Sequence, residues 1–195
     1  MPIFADYHRT VIGYHGTRQD RALEIVSGRA GFAPSVNAWD WLGHGVYFWE
    51  YAPQQAWRWA KQRYAGEEIG VVASMIRLGN CLDLVDPRNA AELVNRHRRL
   101  VDRIRKAGGR VPVNVRSKKY LDCAVLEFAY ATLESEWNEQ IDSSRGVYVP
   151  TGGQSQRRLW AGSWLCHNTH VQLCVRNTQN ILGTWLVKRV DQNEG

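Results

Sequence analysis

The sequence predicts an α+β domain carrying a helical insertion, and three observations predict it. Strand-like and helix-like stretches alternate from Val11 to Gly79, two helix-patterned stretches follow one another between about 83 and 139, and strand patterns return after Arg145. At 195 residues the chain is long enough for one domain with its own core, so a single domain is expected over 1–195.

The elements follow in order. "TVIGYHG" has the branched and aromatic content of a strand that stops at glycine, and Asp20 can cap "RALEIVSG", where Ala22, Leu23, Ile25 and Val26 give an apolar face before Gly28. "VYFW" is a short buried strand. Pro53 suits the first turn of the next helix, with Ala56, Trp57, Trp59 and Ala60 as its apolar side. "IGVVASMIRLG" is apolar almost throughout and is expected to be a central strand. "DPRNAAELVNRHRRLVDRIRKAGG" places Ala90, Leu93, Val94, His97, Leu100, Val101 and Ile104 at helical spacing, leaving an arginine-rich outer face. "SKKYLDCAVLEFAYATLESEW" is apolar on most sides and is expected to be a buried helix. "RGVYVP", "HVQLCVR" and "ILGTWLVKRV" are the returning strands, and the second alternates as a half-buried strand with polar groups on its other face.

Composition narrows the function classes. No apolar run is long enough for a membrane span and the first residues lack a signal-peptide pattern, so a soluble, cytoplasmic protein is expected. Cys81, Cys123, Cys166 and Cys174 form no C-x-x-C pair, which argues against a zinc site or a disulfide framework. The formal net charge is +6, and from Arg96 to Lys119 ten lysines or arginines face one acid, Asp102. Such a run suits a polyanionic partner, and it equally suits a solvated helix face.

Two fragments carry more specific information: "YHGT" at Tyr14 to Thr17, and "WLGHGVYFWE" at Trp41 to Glu50, followed by a helix containing Ala-x-x-x-Ala. In order, separation and local structure they resemble the ADP-ribosyltransferase superfamily, in its diphtheria-toxin and poly(ADP-ribose)-polymerase branch with a His-Tyr-Glu triad. The resemblance covers Val11 to Arg63 and again Thr169 to Lys188, and the stretch from Cys81 to Glu139 has no counterpart. It implies split antiparallel β-sheets around an NAD cleft, with NAD as co-substrate. His15 would hydrogen-bond the adenosine ribose, and Gly16, beside Thr17, would let its backbone pair with the nicotinamide carboxamide. Tyr47 would stack on the nicotinamide, Trp57 would form the opposite wall, and Gln55 falls where the family places a carboxamide-contacting hydroxyl. Breaking a glycosidic bond through an oxocarbenium-like sugar needs a ring held still and a stabilised cation, which fits these residue types. His44, inside "GHG", tempts as a general base but falls on a loop position that varies in the family.

The third triad position departs from the pattern. Where the family has glutamate, "THVQLCVR" has Gln172, which can hydrogen-bond a ribose hydroxyl but brings no charge and cannot act as a base. Several accounts stay open at this stage. Gln172 orients the ribose; Glu50, Glu136 or Glu139 reaches in from elsewhere; His170, on the same strand face, serves as base; the site holds NAD without turning it over; or the strand register differs and Gln172 is an edge residue.

The resemblance therefore implies mono-ADP-ribosyl transfer, with chain extension disfavoured by the missing glutamate. A toxin, effector or defence protein with a neutralising partner would suit a free-standing transferase of this kind. Arg98, Arg99, Arg103 and Arg105, with the "SQRR" loop at Ser155 to Arg158, make nucleic acid, RNA first, the acceptor to test ahead of protein. The alternatives are a non-catalytic module binding NAD, ADP-ribose or nucleic acid, and an NAD glycohydrolase.

Overall fold

In the computed structural model the described residues are 7–115, 118–149, 158–163 and 165–188. Seven strands form one mixed sheet in the order β4-β5-β6-β2-β1-β3-β7. They are β1 (Tyr7–Arg18), β2 (Val46–Glu50), β3 (Ile69–Gly79), β4 (Cys81–Asp83), β5 (Ser143–Tyr148), β6 (His170–Val175) and β7 (Ile181–Leu186). The helices are α1 (Gln19–Val26), α2 (Pro53–Arg63), α3 (Pro87–Lys106) and α4 (Tyr120–Trp137). The class is thus α+β, as the element pattern predicts. Two features differ from the expected split antiparallel sheets: the strands join into a single sheet, and β4 runs parallel to β5.

The sheet is nevertheless narrow at its middle. β1 pairs with β3 from Tyr7 to Arg18, but with β2 only at Gly13↔Glu50 and Tyr14↔Trp49. Beyond Tyr14 the two strands diverge. The core under this junction is Val11, Val46, Phe48, Ile76, Leu78, Leu173 and Val175, all buried.

Helix α2 lies against β1 through small residues. Ala56 and Ala60 are fully buried, and a Cβ on Gly16 would stand 2.3 Å from the Ala56 carbonyl oxygen. The glycine therefore sets how closely α2 approaches the sheet. With Ala56 and Ala60 turned inward, the opposite face of α2 carries Gln55, Arg58, Trp59 and Gln62, at the spacing of one helical stripe.

Helices α3 and α4 lie between β4 and β5 in the chain. Asp86 caps α3 by accepting from the Arg88 N–H at 2.9 Å. Helix α4 buries Val125, Leu126, Ala129, Tyr130 and Leu133, as its all-round apolar pattern predicts. The outer face of α3 is less uniformly solvated than its sequence suggests. Arg96 is buried, its guanidinium bonded to both Glu136 oxygens at 2.7 and 2.6 Å and to Glu92 at 2.5 Å. Strand β6 also departs from its reading. Leu173, Cys174 and Val175 are all buried, because β6 is flanked by β5 and β2 and its polar face is covered at Cys174 by the Gly43 to Gly45 loop. No helix among the described residues is long and apolar enough to cross a membrane.

Candidate active site

A cleft of about 1140 Å³ opens where β1 and β2 diverge, walled by α2 on one side and by the loop from Ala33 to Gly45 on the other. His15, Thr17, Tyr47, Gln55 and Gln172 all line it, as does His170. Residues from β1, β2, α2 and β6, far apart in the chain, thus meet in one concavity.

The divergence of the strands determines what His15 and Gly16 present. Tyr51 donates its N–H to the Ile12 carbonyl at 3.0 Å, so on β1 the peptide groups of Ile12, Tyr14 and Gly16 face the β2 side. In register, Gly16 would pair next with Tyr47. Instead the Tyr47 carbonyl accepts from His15 Nδ1 at 2.9 Å. That bond assigns the proton to Nδ1 and leaves Nε2 as an acceptor. It also leaves the N–H and C=O of Gly16 facing the gap without a β2 partner. Gly16 itself is buried and is not among the residues lining the cleft; its neighbours His15 and Thr17 are. Desolvation lowers the His15 pKa below its ordinary value of 6.5, outweighing the backbone bond that raises it, and Phe32 and Phe48 pack on the ring at 5.3 and 5.7 Å.

Tyr47 is fixed by its hydroxyl, which accepts from the Leu42 N–H at 2.9 Å and donates to the Gly43 carbonyl at 2.8 Å. Burial pushes the phenol pKa far above 10.0, so the ring is a neutral, rigid platform. Gly43 has φ +77°, and a Cβ there would stand 2.5 Å from the Tyr130 ring. The glycine-framed tyrosine of "LGHGVYF" is therefore a loop folded tightly over α4 to hold one hydroxyl.

Gln172 does not stand free at the cleft. Its Oε1 accepts from Trp41 Nε1 at 2.7 Å, and its Nε2 lies 3.0 Å from His170 Nε2. His170 Nδ1 lies 2.6 Å from the Asn168 carbonyl, so Nδ1 carries the proton and Nε2 accepts from the Gln172 amide. Burial lowers the His170 pKa, in keeping with a neutral ring. Trp41, Gln172, His170 and Asn168 form one chain of hydrogen bonds in which every member is neutral.

The other candidates are placed elsewhere. Trp57 packs against the core cluster of Trp49, Ala56 and Val71 and does not line the cleft; the α2 ring that does is Trp59. Helical phase explains the difference, since Trp59 shares the stripe of Gln55 and Gln62 opposite the buried alanines. His44 faces α4, its N–H donating to Glu127 Oε1 at 2.7 Å and its ring near Cys123. Glu50 is held by Arg145 at 2.6 and 3.0 Å, and Glu136 by Arg96 and Arg99. Neither of these, nor Glu139, lines the cleft. Of the "SQRR" loop, Ser155 to Arg157 lie outside the described residues, as does Arg116 of the basic run.

Sequence reasoning missed several lining residues. Among the described residues the cleft has one carboxylate, Asp40, whose Oδ2 accepts from the Asn37 N–H at 2.8 Å. Asn37-x-x-Asp40 is a turn signature, and nothing in that spacing marks a cleft. Four arginines also line it, Arg18, Arg21, Arg58 and Arg63, together with Trp39, Trp41, Trp49, Trp59, Tyr64 and Tyr148. Among the described residues no cluster of His, Cys, Asp and Glu could hold a metal ion. Neither the known protein-family models nor the curated proteins yield a match to this chain.

Proposed function

We propose that the cleft binds NAD and that the protein transfers its ADP-ribosyl group, once, to an acceptor. The observation that carries this reading is the convergence of His15, Tyr47 and Gln172 on one cleft, beside a Gly16 peptide that has no β2 partner where the two strands part. An exposed carboxamide supplies both a donor and an acceptor to the two groups that Gly16 leaves open. Tyr47 offers a rigid face for the nicotinamide ring. His15 Nε2 accepts from a ribose hydroxyl. Gln172 keeps one N–H and one carbonyl lone pair for the second ribose.

In the reaction the bond from the ribose C1′ to the nicotinamide nitrogen breaks, and its electron pair leaves with nicotinamide, which becomes neutral. The acceptor's lone pair then forms the new bond at C1′, and its proton passes to solvent or a nearby base. The neutral Trp41–Gln172–His170 chain orients the sugar without adding charge beside the oxocarbenium ion. Catalysis then rests on positioning, and the acceptor supplies the reactivity.

A second reading, a module that holds NAD or ADP-ribose without turnover, is favoured by that same uncharged chain. Nicotinamide release and mass spectrometry of acceptors after incubation with NAD separate the two. The transferase reading expects release and a single ADP-ribosyl mass increment, lost in folded His15→Ala and Tyr47→Ala variants. Tight NAD binding with no release would leave the binding module, and full activity in either variant would remove the site assignment. Asp40→Asn belongs beside them as the test of the cleft's carboxylate.

A further inference from the structure

We infer that the acceptor entering this cleft is a single-stranded nucleic acid, its bases stacked along an aromatic wall and its phosphates met by arginines of α2; this rests on the transferase reading above. Six rings run in unbroken contact along the cleft: Trp41, Tyr148, His170, Trp49, Trp59 and Tyr64. Successive centroids are 5.6, 5.2, 6.5, 5.7 and 6.0 Å apart. Every one of the six lines the cleft. Trp49 is nearly buried and backs the row, whereas Trp59 is 38% exposed. NAD carries two ring systems, and in the proposed site Tyr47 meets one of them from outside this row.

Charge follows the same wall. Arg58 bonds the Asn168 side chain and Arg63 lies over the Tyr64 ring at 5.6 Å from its centroid, and among the described residues neither guanidinium is held by a carboxylate. Arg18 and Arg21 line the cleft as well, but they are paired with acids beside it, Arg18 with Asp20 and Glu67 at 3.4 and 3.7 Å and Arg21 with Glu24 at 3.0 Å, so the charge offered to a ligand is chiefly that of Arg58 and Arg63. At the rim, Lys118 Nζ lies 4.5 Å from the centroid of Trp39, joining the cleft to the basic segment that leads into α4. The cavity of about 1140 Å³ exceeds the roughly 300–1,000 Å³ of small-molecule sites, leaving room for a second reactant beside NAD.

Interleaved aromatic faces and cations are what a single strand of nucleotides requires, since each base has a π-face and each linkage a negative charge. A duplex keeps its bases stacked inside and cannot lay them on rings within a concave cleft. An acidic peptide would satisfy the arginines but leave most of the row without a flat partner.

The test is fluorescence anisotropy of the full chain with labelled oligouridylate, oligothymidylate, a duplex RNA and a polyglutamate peptide, without NAD, over a range of salt. Single strands should bind at least about tenfold more tightly than the duplex or the peptide. Tyr64→Ala and Trp59→Ala should each weaken single-strand binding about tenfold, and Trp59→Phe should recover most of the loss. Arg58→Gln combined with Arg63→Gln should flatten the salt dependence by about two phosphate contacts. Equal affinity for duplex, preference for the peptide, no single-strand binding, or losses confined to α3 arginine variants would overturn the inference. Nicotinamide release measured on the same preparation keeps the two readings apart. Release without oligonucleotide binding sinks only the nucleic-acid acceptor, and oligonucleotide binding without release sinks the transferase.

Discussion

Replacing Gln172 by glutamate tests the hydrogen-bond chain at its centre. A carboxylate can still accept from Trp41 Nε1, but its second oxygen would then face the lone pair on His170 Nε2 across 3.0 Å. Two acceptors at that distance repel, and the repulsion is relieved by a proton entering between them. That proton belongs to the imidazole, whose Nδ1 is already held by the Asn168 carbonyl. Opposite unit charges 3 Å apart attract by about 5.5 kcal/mol at an effective dielectric of 20, and the burial that now lowers the His170 pKa opposes this. A net upward shift of the His170 pKa is the expected balance for a close ion pair. His170, whose pKa burial lowers in the wild type, holds its proton to higher pH in the variant.

The consequence for catalysis is specific. At neutral pH the new carboxylate would be paired, so its benefit to a developing oxocarbenium ion would be largely cancelled by the neighbouring cation. Nicotinamide release by Gln172→Glu should stay near wild type at pH 7 and rise once the imidazolium loses its proton, while Gln172→Glu combined with His170→Gln should gain already at pH 7. The assay is an NMR titration of the imidazole carbons, with His170→Gln providing the assignment, run beside nicotinamide release from pH 5.5 to 9. An unshifted or lowered His170 pKa in folded Gln172→Glu would refute the hydrogen-bond chain.

Further predictions follow from the same geometry. Gly16→Ala sets a methyl 2.3 Å from the Ala56 carbonyl oxygen and should cost about 1–3 kcal/mol by thermal or urea unfolding. Ligand binding should fall with it, even where the variant stays folded. Because burial holds the His15 and His170 pKa values below 6.5, the unfolded chain takes up protons first as pH falls. Their contribution to stability is therefore fully present above pH 6.5 and declines below it, so urea unfolding should give a level stability from pH 7 to 8 that falls toward pH 5. Glu136 has its pKa lowered to about 2, chiefly by hydrogen bonds from Arg96 and then Arg99. Glu136→Gln should therefore lower the melting temperature near neutral pH, with the difference from wild type shrinking in acid, and leave nicotinamide release unchanged. Neutralising Arg98, Arg99, Arg103 and Arg105 should flatten the salt dependence of nucleic-acid binding if α3 also meets phosphates; unaltered affinity at low salt would make that face a solvated one.

The parts of the molecule legible in the sequence are those set by local pattern. Proline at the start of α2 and α3, the Asp86 cap, the apolar run of β3 and the all-round apolar α4 each announce an element without reference to the rest of the chain. His15 and Tyr47 stand out in the sequence because each lies in a short glycine-containing motif, His15 next to Gly16 and Tyr47 two residues after Gly45. What the sequence hid depends on partners far away. The amide of Gln172 is committed to Trp41, 131 positions earlier, and no spacing rule reaches that far. The choice between Trp57 and Trp59 was in principle legible. Taking Ala56, Trp57, Trp59 and Ala60 together as one apolar side blurs a helix whose buried line is the two alanines alone. The arginines and rings of the cleft come from β1, α1, α2, β2, β5, β6 and loops, and only the fold collects them.

The pairing of histidine with glycine in "YHGT" has a single structural cause. Where two antiparallel strands separate, one residue's peptide groups lose their partners, and a side chain must satisfy whatever the opposite strand leaves behind. His15 does this for the Tyr47 carbonyl, which would otherwise be an unmet acceptor costing about 1–3 kcal/mol. The groups on Gly16 are left open in turn, and glycine is there because α2 closes over that position to within contact of its Cα. The sheet thus leaves an unpaired donor and acceptor at the gap where β1 and β2 part. Under the proposed NAD reading a planar amide would meet both there, with Tyr47, from the strand that diverged, covering its face.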